Sequence, residues 1–135
     1  MKTYLGLDLG SKTLGIAISN SGIIANTYQT LRFKEENYDE AITMLLEIIE
    51  KESAHVIVLG LPKHMNNDIG IRGQISQMFK EKLEKQTTAQ VILWDERLST
   101  KSALKVMQGF SQKERKAKKD ELAAVLILQN YLDSI

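Results

Sequence analysis

The chain has 135 residues, 43% of them hydrophobic and 26% charged, a balance that buries one core of ordinary domain size and excludes a disordered tail or a fibrous repeat. It contains no cysteine, which excludes a disulfide scaffold, a thiolate metal site and a cysteine nucleophile, and which fits a reducing, cytoplasmic setting. Eighteen basic and seventeen acidic residues leave a net charge of +1, short of the strongly basic balance that by itself marks a nucleic-acid binder.

Alternating strands and helices follow in chain order. Thr3 to Leu9 and Leu14 to Ser19 are apolar, partly β-branched runs joined by Gly10-Ser11-Lys12-Thr13, a turn composition that predicts adjacent antiparallel strands. Ser21-Gly22 permits a second tight turn into a third strand, Ile23 to Thr30. From Asn37 the pattern becomes helical: Asn37 with Glu40 fits a capping box, and Ile42, Leu45, Leu46 and Ile49 recur at helical spacing, which predicts a helix over 38–52. Val56 to Leu61 is a near-continuous apolar run of the kind covered on both faces, so it belongs in the middle of a sheet.

The polar segment Lys63 to Asp68 leads to a second helix whose predicted buried face is Ile71, Ile75, Met78, Phe79 and Leu83. Val91 to Trp94 is a short fifth strand. After Asp95-Glu96-Arg97-Leu98, Ser99 or Thr100 can cap a short helix ending near Gly109. A basic loop then delivers the chain to a final helix from about Asp120 to Leu132, with Leu122, Val125, Leu126, Leu132 and either Leu128 or Gln129 inward. The pattern describes one α/β domain over residues 1–135, with antiparallel β1-β2-β3 followed by αβαβα: a mixed five-stranded sheet with helices on both faces. No apolar stretch approaches the roughly 18 to 20 residues that span a bilayer. Asp8, Lys12 and Thr13 interrupt what would have to be a signal peptide's apolar core, so no membrane partner is expected.

Three carboxylates fall at the ends of these elements. Asp8 is an acid in an otherwise apolar strand, where a charge needs a partner or a metal; hydrogen bonding to the Gly10-Ser11 turn would also account for it. Asp95 and Glu96 follow the fifth strand, and because strand side chains alternate, only one of them serves a given face. Glu96 is the choice for a site, with Asp95 structural. Asp120 opens the last helix, where an acid also suits the helix dipole. Together the three could converge on a hard cation, since Mg²⁺ takes oxygen ligands and leaves positions for phosphate and water, and two such ions suit in-line phosphodiester hydrolysis.

The acidic centre would repel a polyanion unless cations offset it. The charge is distributed accordingly: residues 1–60 carry five Lys/Arg against eight Asp/Glu, and residues 61–135 thirteen against nine. The densest basic stretch, Gln112 to Lys119, holds Lys113, Arg115, Lys116, Lys118 and Lys119 against Glu114 alone. It reads either as a solvated surface or as a phosphate-tracking loop. Lys12 and Arg97 flank proposed carboxylates, where phosphate contact and simple ion pairing are both open. His55 and His64 show no metal-ligand spacing, Trp94 and Tyr131 suit the core or its edge, and Gly10 and Gly15 suit backbone geometry.

Gly6-Leu7-Asp8-Leu9-Gly10-Ser11-Lys12-Thr13-Leu14-Gly15-Ile16-Ala17, Gly60-Leu61-Pro62, Asp95-Glu96-Arg97-Leu98-Ser99-Thr100, and Asp120-Glu121-Leu122-Ala123-Ala124 through Ile127-Leu128-Gln129-Asn130-Tyr131-Leu132 resemble the motifs of the YqgF/RuvX family, in order and through nearly the whole chain. The resemblance implies a ribonuclease-H-like fold related to the RuvC junction resolvases. Family members are assigned as Holliday-junction resolvases or as nucleases that mature the 5′ end of pre-16S ribosomal RNA. By matched position, Asp8, Glu96 and Asp120 become the catalytic and metal-holding carboxylates. Mg²⁺ or Mn²⁺ is the implied cofactor, with two ions when substrate is bound, and the implied products are a 3′-hydroxyl and a 5′-phosphate.

The implied partners are pre-rRNA or branched DNA, with a ribosomal particle as a further one. The chain departs from the family pattern at Met65-Asn66-Asn67, at Gly70-Ile71 and at Lys119, where an apolar residue is usual; none of the three acids is lost. Two other classes compete. Asp8-Leu9-Gly10 with Gly15 is similar to the first phosphate loop of actin-like ATP-binding proteins, which need two related halves. A non-catalytic RNA-binding assembly factor would keep the fold and charge without turnover.

Overall fold

The computed structural model describes residues 2–61, 70–95, 108–109 and 111–135, the side chain of Arg115 excepted. Among them the elements run β1 (Tyr4–Leu9), β2 (Thr13–Ser19), β3 (Asn26–Arg32), α1 (Tyr38–Glu52), β4 (Val56–Leu61), α2 (Gly70–Glu84), β5 (Gln90–Asp95), α3 (Gln112–Ala117) and α4 (Lys119–Ser134). The strands form one mixed sheet in the order β3-β2-β1-β4-β5. β1 is its centre, antiparallel to β2 and parallel to β4. The loop Lys63 to Asp68 with His64 lies outside the described residues, as does the helical segment expected over Ser99 to Gly109 apart from its last two positions, 108–109.

Alternation along the strands separates two cores. Leu5, Leu7, Leu9, Leu14, Ile16, Ile57, Leu59 and Val91 pack under α1 and α2. On the other face Ala17, Val56 and Val58 meet Ala124, Val125, Ile127 and Leu128 of α4. The two faces differ in bulk. Where β1 presents leucines to α1 and α2, it presents Gly6 to α4, and a Cβ added there would come within 2.6 Å of the Leu128 Cβ and 2.8 Å of the Ala124 carbonyl oxygen. Real Cβ atoms do not approach so closely, so the helix reaches the strand because glycine stands there.

Several expectations shift in detail. β3 begins at Asn26 instead of Ile23, because Ser21 Oγ accepts from the Ile23 and Ile24 amides and Gly22 takes a positive φ of 75°, which holds residues 22–24 out of the ladder. Ile23 is accordingly 69% exposed. α1 has the predicted bounds, and Asn37 Oδ1 accepts from the Glu40 amide at 3.2 Å, but the Glu40 carboxylate accepts from the Lys34 amide and does not close the box. α2 turns Gly73, Ser76, Phe79 and Leu83 inward and leaves Ile71 74% exposed. Ser76 can be buried because its hydroxyl donates to the Arg72 carbonyl.

The predicted basic loop is largely a helix, α3, closed by a full capping box in which Ser111 Oγ accepts from the Glu114 amide and Glu114 Oε1 accepts from the Ser111 amide. On α4, Leu126 is only half-buried while Ala124, Ile127 and Asn130 join the inward face. Both Leu128 and Gln129 are buried.

Gln129 ties the far end of α4 to the β2–β3 connection. Its Oε1 accepts from the Ala25 amide at 2.9 Å, and its Nε2 donates to the Ile23 carbonyl at 2.8 Å and to Asp133 Oδ1 at 3.0 Å. Replacing it with methionine keeps the volume and strands these backbone groups. Gln129→Met should lower the unfolding free energy by about 1–3 kcal/mol, read as a lower denaturant midpoint at unchanged slope; an unchanged midpoint would show that the amide does not hold the connection.

Candidate nuclease site

Asp8 lies one residue from the end of β1 and pairs directly with Gly15 of β2. It stands two residues on from Gly6, which lies against α4, so it belongs to the α4 face. A Cβ on Gly15 would run into the carbonyl group of Asp120 and sit 3.1 Å from the Asp120 Cβ. Directly opposed residues of an antiparallel pair hold their Cβ positions about 4.5–5.5 Å apart, so the side chains of Asp8 and Asp120 start within about 9 Å of each other over the same glycine. Residues 112 positions apart in sequence thus share one seat at the carboxyl end of the central strand.

Asp120 does not cap its helix. The capping position is Lys118, which makes no side-chain cap bond, and Asp120 stands inside the first turn with Glu121. An acid in the first turn suits the helix dipole, and Asp120 stands in addition beside Asp8. Asp95 ends β5 on the side of Val91 and Leu93, which pack in the α1–α2 core, whereas Ile92 and Trp94 pack on the α4 side. By alternation Asp95 faces away from Asp8, in line with a structural role. Glu96 and Arg97 lie outside the described residues. Among the described residues no group of three or more His, Asp or Glu side chains comes together, so the described part of the site is the pair Asp8 and Asp120.

Lysines occupy the turn after Asp8 and the segment that leads into Asp120. Lys12 is exposed on the β1–β2 turn, Lys113 and Lys116 are exposed on α3, Lys118 is half-buried, and Lys119 is exposed at the start of α4. α3 connects to α4 through Lys118 alone, whose amide donates to the Glu114 carbonyl at 2.9 Å. Sequence reasoning misses Arg72: its Nη2 donates to the Leu9 carbonyl at 3.0 Å, next to Asp8, and its Nη1 to the Tyr38 hydroxyl at 3.4 Å. A cation in the first turn of a helix, against its dipole, was the available signal.

Trp94 extends the row of Asp8. In parallel register Asp8 and Gly60 follow the paired Leu7 and Leu59, and Gly60 pairs with Trp94, so the indole stands on Asp8's face about 10 Å away, two strands over. It meets Tyr131 edge-on, with ring centroids 5.4 Å apart. Burial, and after it the neighbouring Tyr4, push the Tyr131 phenol above its ordinary value, so this ring stays neutral. His55 is a structural group, with Nδ1 accepting from the Thr3 amide.

A family model described as Holliday junction resolvase, RuvX, matches residues 2–134. The chain belongs to the RuvX family. A protein of Onion yellows phytoplasma (strain OY-M) named "Putative pre-16S rRNA nuclease" is 54% identical over 134 residues, covering 97% of this chain and 89% of that one. A protein of the same name from Staphylococcus aureus (strain JH9) is 48% identical over 135 residues, covering 97% and 95%. Among solved structures, Thermus thermophilus RuvC superposes with a TM-score of 0.61 at 9% identity, covering 98% of this chain and 95% of that chain. The same protein in complex with a Holliday junction substrate gives 0.58 at 10% identity, covering 99% and 95%. The fold is thus RNase H-like, as the motifs implied, and the RuvX chain is a nuclease, a hydrolase of phosphodiester bonds. No helix among its described residues is long and apolar enough to cross a membrane.

The contact of Gly15 with Asp120 makes the site sensitive to one methyl group. Gly15→Ala should destabilise the fold by about 1–3 kcal/mol and abolish cleavage, because the obstacle is main chain. Among the described residues, Gly10→Ala meets first the Thr13 hydroxyl, at 3.1 Å, and then the Thr13 main chain at 3.4 Å and beyond, and should cost less. Thermal melts and cleavage rates of the two variants check the ranking, and equal behaviour would contradict the close approach.

Proposed function

We propose that this RuvX protein trims the 5′ end of pre-16S ribosomal RNA in the course of ribosome biogenesis, in the cytoplasm, and that Asp8, Glu96 and Asp120 are its catalytic carboxylates. The observation that carries the reading is the meeting of Asp8 and Asp120 over Gly15 at the carboxyl end of β1. It is supported by relatives 48–54% identical that bear the corresponding name. Cutting of branched DNA is the second reading, favoured by the family description and by the likeness to RuvC.

The donor set fits a hard cation. Asp8 and Asp120 offer carboxylate oxygens on one seat, with no side chain on Gly15 between them, and Glu96 would complete the set. These acids would hold Mg²⁺ or Mn²⁺, as two ions once substrate is bound, and the metal would supply Lewis-acid activation of water and stabilisation of the leaving oxygen. The chain's own residues do the remainder. Asp8 is held on a buried central strand and Asp120 on a helix locked against it, so the two acids keep their spacing without reorganising when substrate arrives. Lys12, Arg97, Lys113, Arg115, Lys116, Lys118 and Lys119 bind the nucleic-acid backbone and offset the repulsion between the acids and a polyanion.

Wild type and Asp8→Asn should be compared on a precursor small-subunit rRNA fragment and on a synthetic four-way DNA junction, with Mg²⁺, Mn²⁺ or EDTA. Metal-dependent cleavage of the RNA at its 5′ side, lost with EDTA and with Asp8→Asn, is expected. Cleavage of the junction alone would replace the first reading with the second. If neither substrate is cut by folded wild type, a binding factor without turnover takes their place. Trp94 is the only tryptophan and gives an independent readout: Mn²⁺ should quench its fluorescence in wild type and not in Asp8→Asn.

Neutralising Lys113, Lys116, Lys118 and Lys119 together should weaken binding uniformly across sequences and lower the salt slope by about one for each phosphate no longer neutralised. Binding that stays at the wild-type level would remove this segment from the interface.

A further inference from the structure

The guanidinium of Arg72 stands where a cation is unfavourable. It occupies the first turn of α2, a turn with no acidic residue, where the helix dipole opposes positive charge. It is half-buried, and the two described groups to which it donates, the Leu9 carbonyl and the Tyr38 hydroxyl, are neutral. Among the described residues no carboxylate forms an ion pair with it. A guanidinium has five N–H donors, and Nη1 and Nη2 each give one to a described residue.

Its place gives that anion an identity. Leu9 follows Asp8 and closes the central strand, which has an antiparallel neighbour on one side and, up to Leu7, a parallel one on the other. Crevices outside the carboxyl ends of such strands are where ligands of open α/β sheets bind. Asp120 reaches this end of β1 from α4, on one face, while Arg72 reaches it from α2, whose core lies on the other. Lys12 projects from the turn between the strands that carry Asp8 and Gly15.

Building on the nuclease reading above, we propose that Arg72 binds a backbone phosphate of the substrate next to the one that is cleaved, while its hold on the Leu9 carbonyl keeps the end of the Asp8 strand in register with that phosphate. A planar fork suits both tasks at once, one edge on the carbonyl and another on phosphate oxygens. Lysine, a single point charge, could do one or the other.

The test measures binding in EDTA, so that it is independent of cleavage, with the rRNA fragment and the four-way junction as probes across a salt series. Arg72→Gln should bind about tenfold more weakly, with a salt slope lower by about one. Arg72→Lys should keep the wild-type slope and lose affinity several-fold. Wild-type affinity in a folded Arg72→Gln, or weaker binding at an unchanged slope, would overturn the proposal, the second because it marks an effect through the fold. Should Arg72→Gln fail to fold, Arg72→Lys decides alone, and wild-type affinity in it would overturn the proposal. Wild type that binds neither probe would instead bring down the nucleic-acid reading itself, an outcome distinct from any failure of Arg72.

Discussion

The arrangement depends on how closely α4 can lie against β1 and β2. Helices pack on sheets at a distance set by the side chains between them, and on the α1–α2 face leucines and isoleucines set it. On the α4 face, Gly6 and Gly15 remove those side chains at two points, and main chain comes nearly against main chain. The spacing of Asp8 and Asp120 therefore follows from backbone contact. Such contact has almost no adjustable part, whereas a leucine can change rotamer and let a helix drift. Two acids far apart in sequence acquire a fixed relation in this way.

The same strand end is held from the outside as well. The carbonyls of Leu9, Ser11 and Lys12 accept from Arg72, from the Glu36 amide and from the Phe33 amide respectively, and Glu36 adopts a left-handed φ of 61° in the segment that delivers one of them. Each bond contributes only about 1 kcal/mol net. Their effect is geometric: donors from α2 and from the β3–α1 connection fix the turn that follows Asp8. At the opposite end of α4, Gln129 does the corresponding work on residues 23–25. The helix that carries Asp120 is anchored at both ends, by glycine contact at one and by an amide side chain at the other.

Much of this is legible in the sequence, for definite reasons. The strands, the antiparallel run of the first three and the interior place of β4 follow from apolar runs and turn residues, and α1 follows from Asn37 and the spacing of Ile42, Leu45 and Ile49. Asp8 and Asp120 can be singled out because an acid at an element end in apolar surroundings needs a cause. What stays hidden depends on tertiary contact. Nothing local shows that Ser21 and Gln129 keep Ile23 and Ile24 out of β3, and hydrophobicity alone places Ile71 inward when α2 in fact turns Gly73 and Ser76 to the sheet. Gly15 reads locally as backbone geometry; its meaning lies in Asp120, which only the folded chain brings to it. Arg72 escapes notice because its partners are a carbonyl and a phenol distant in sequence.

The basic segment is helical where its composition reads as a loop. Five cations among eight residues suggest a loop by their polarity, yet Ser111 and Glu114 close a capping box and α3 forms. A loop would spread its charge over many positions. A capped helix joined to α4 through one residue instead carries Lys113 and Lys116, three apart and hence on one side, at a set offset from Asp120. The field they produce is then fixed relative to the start of α4. Charge, like the carboxylate spacing, is held by backbone.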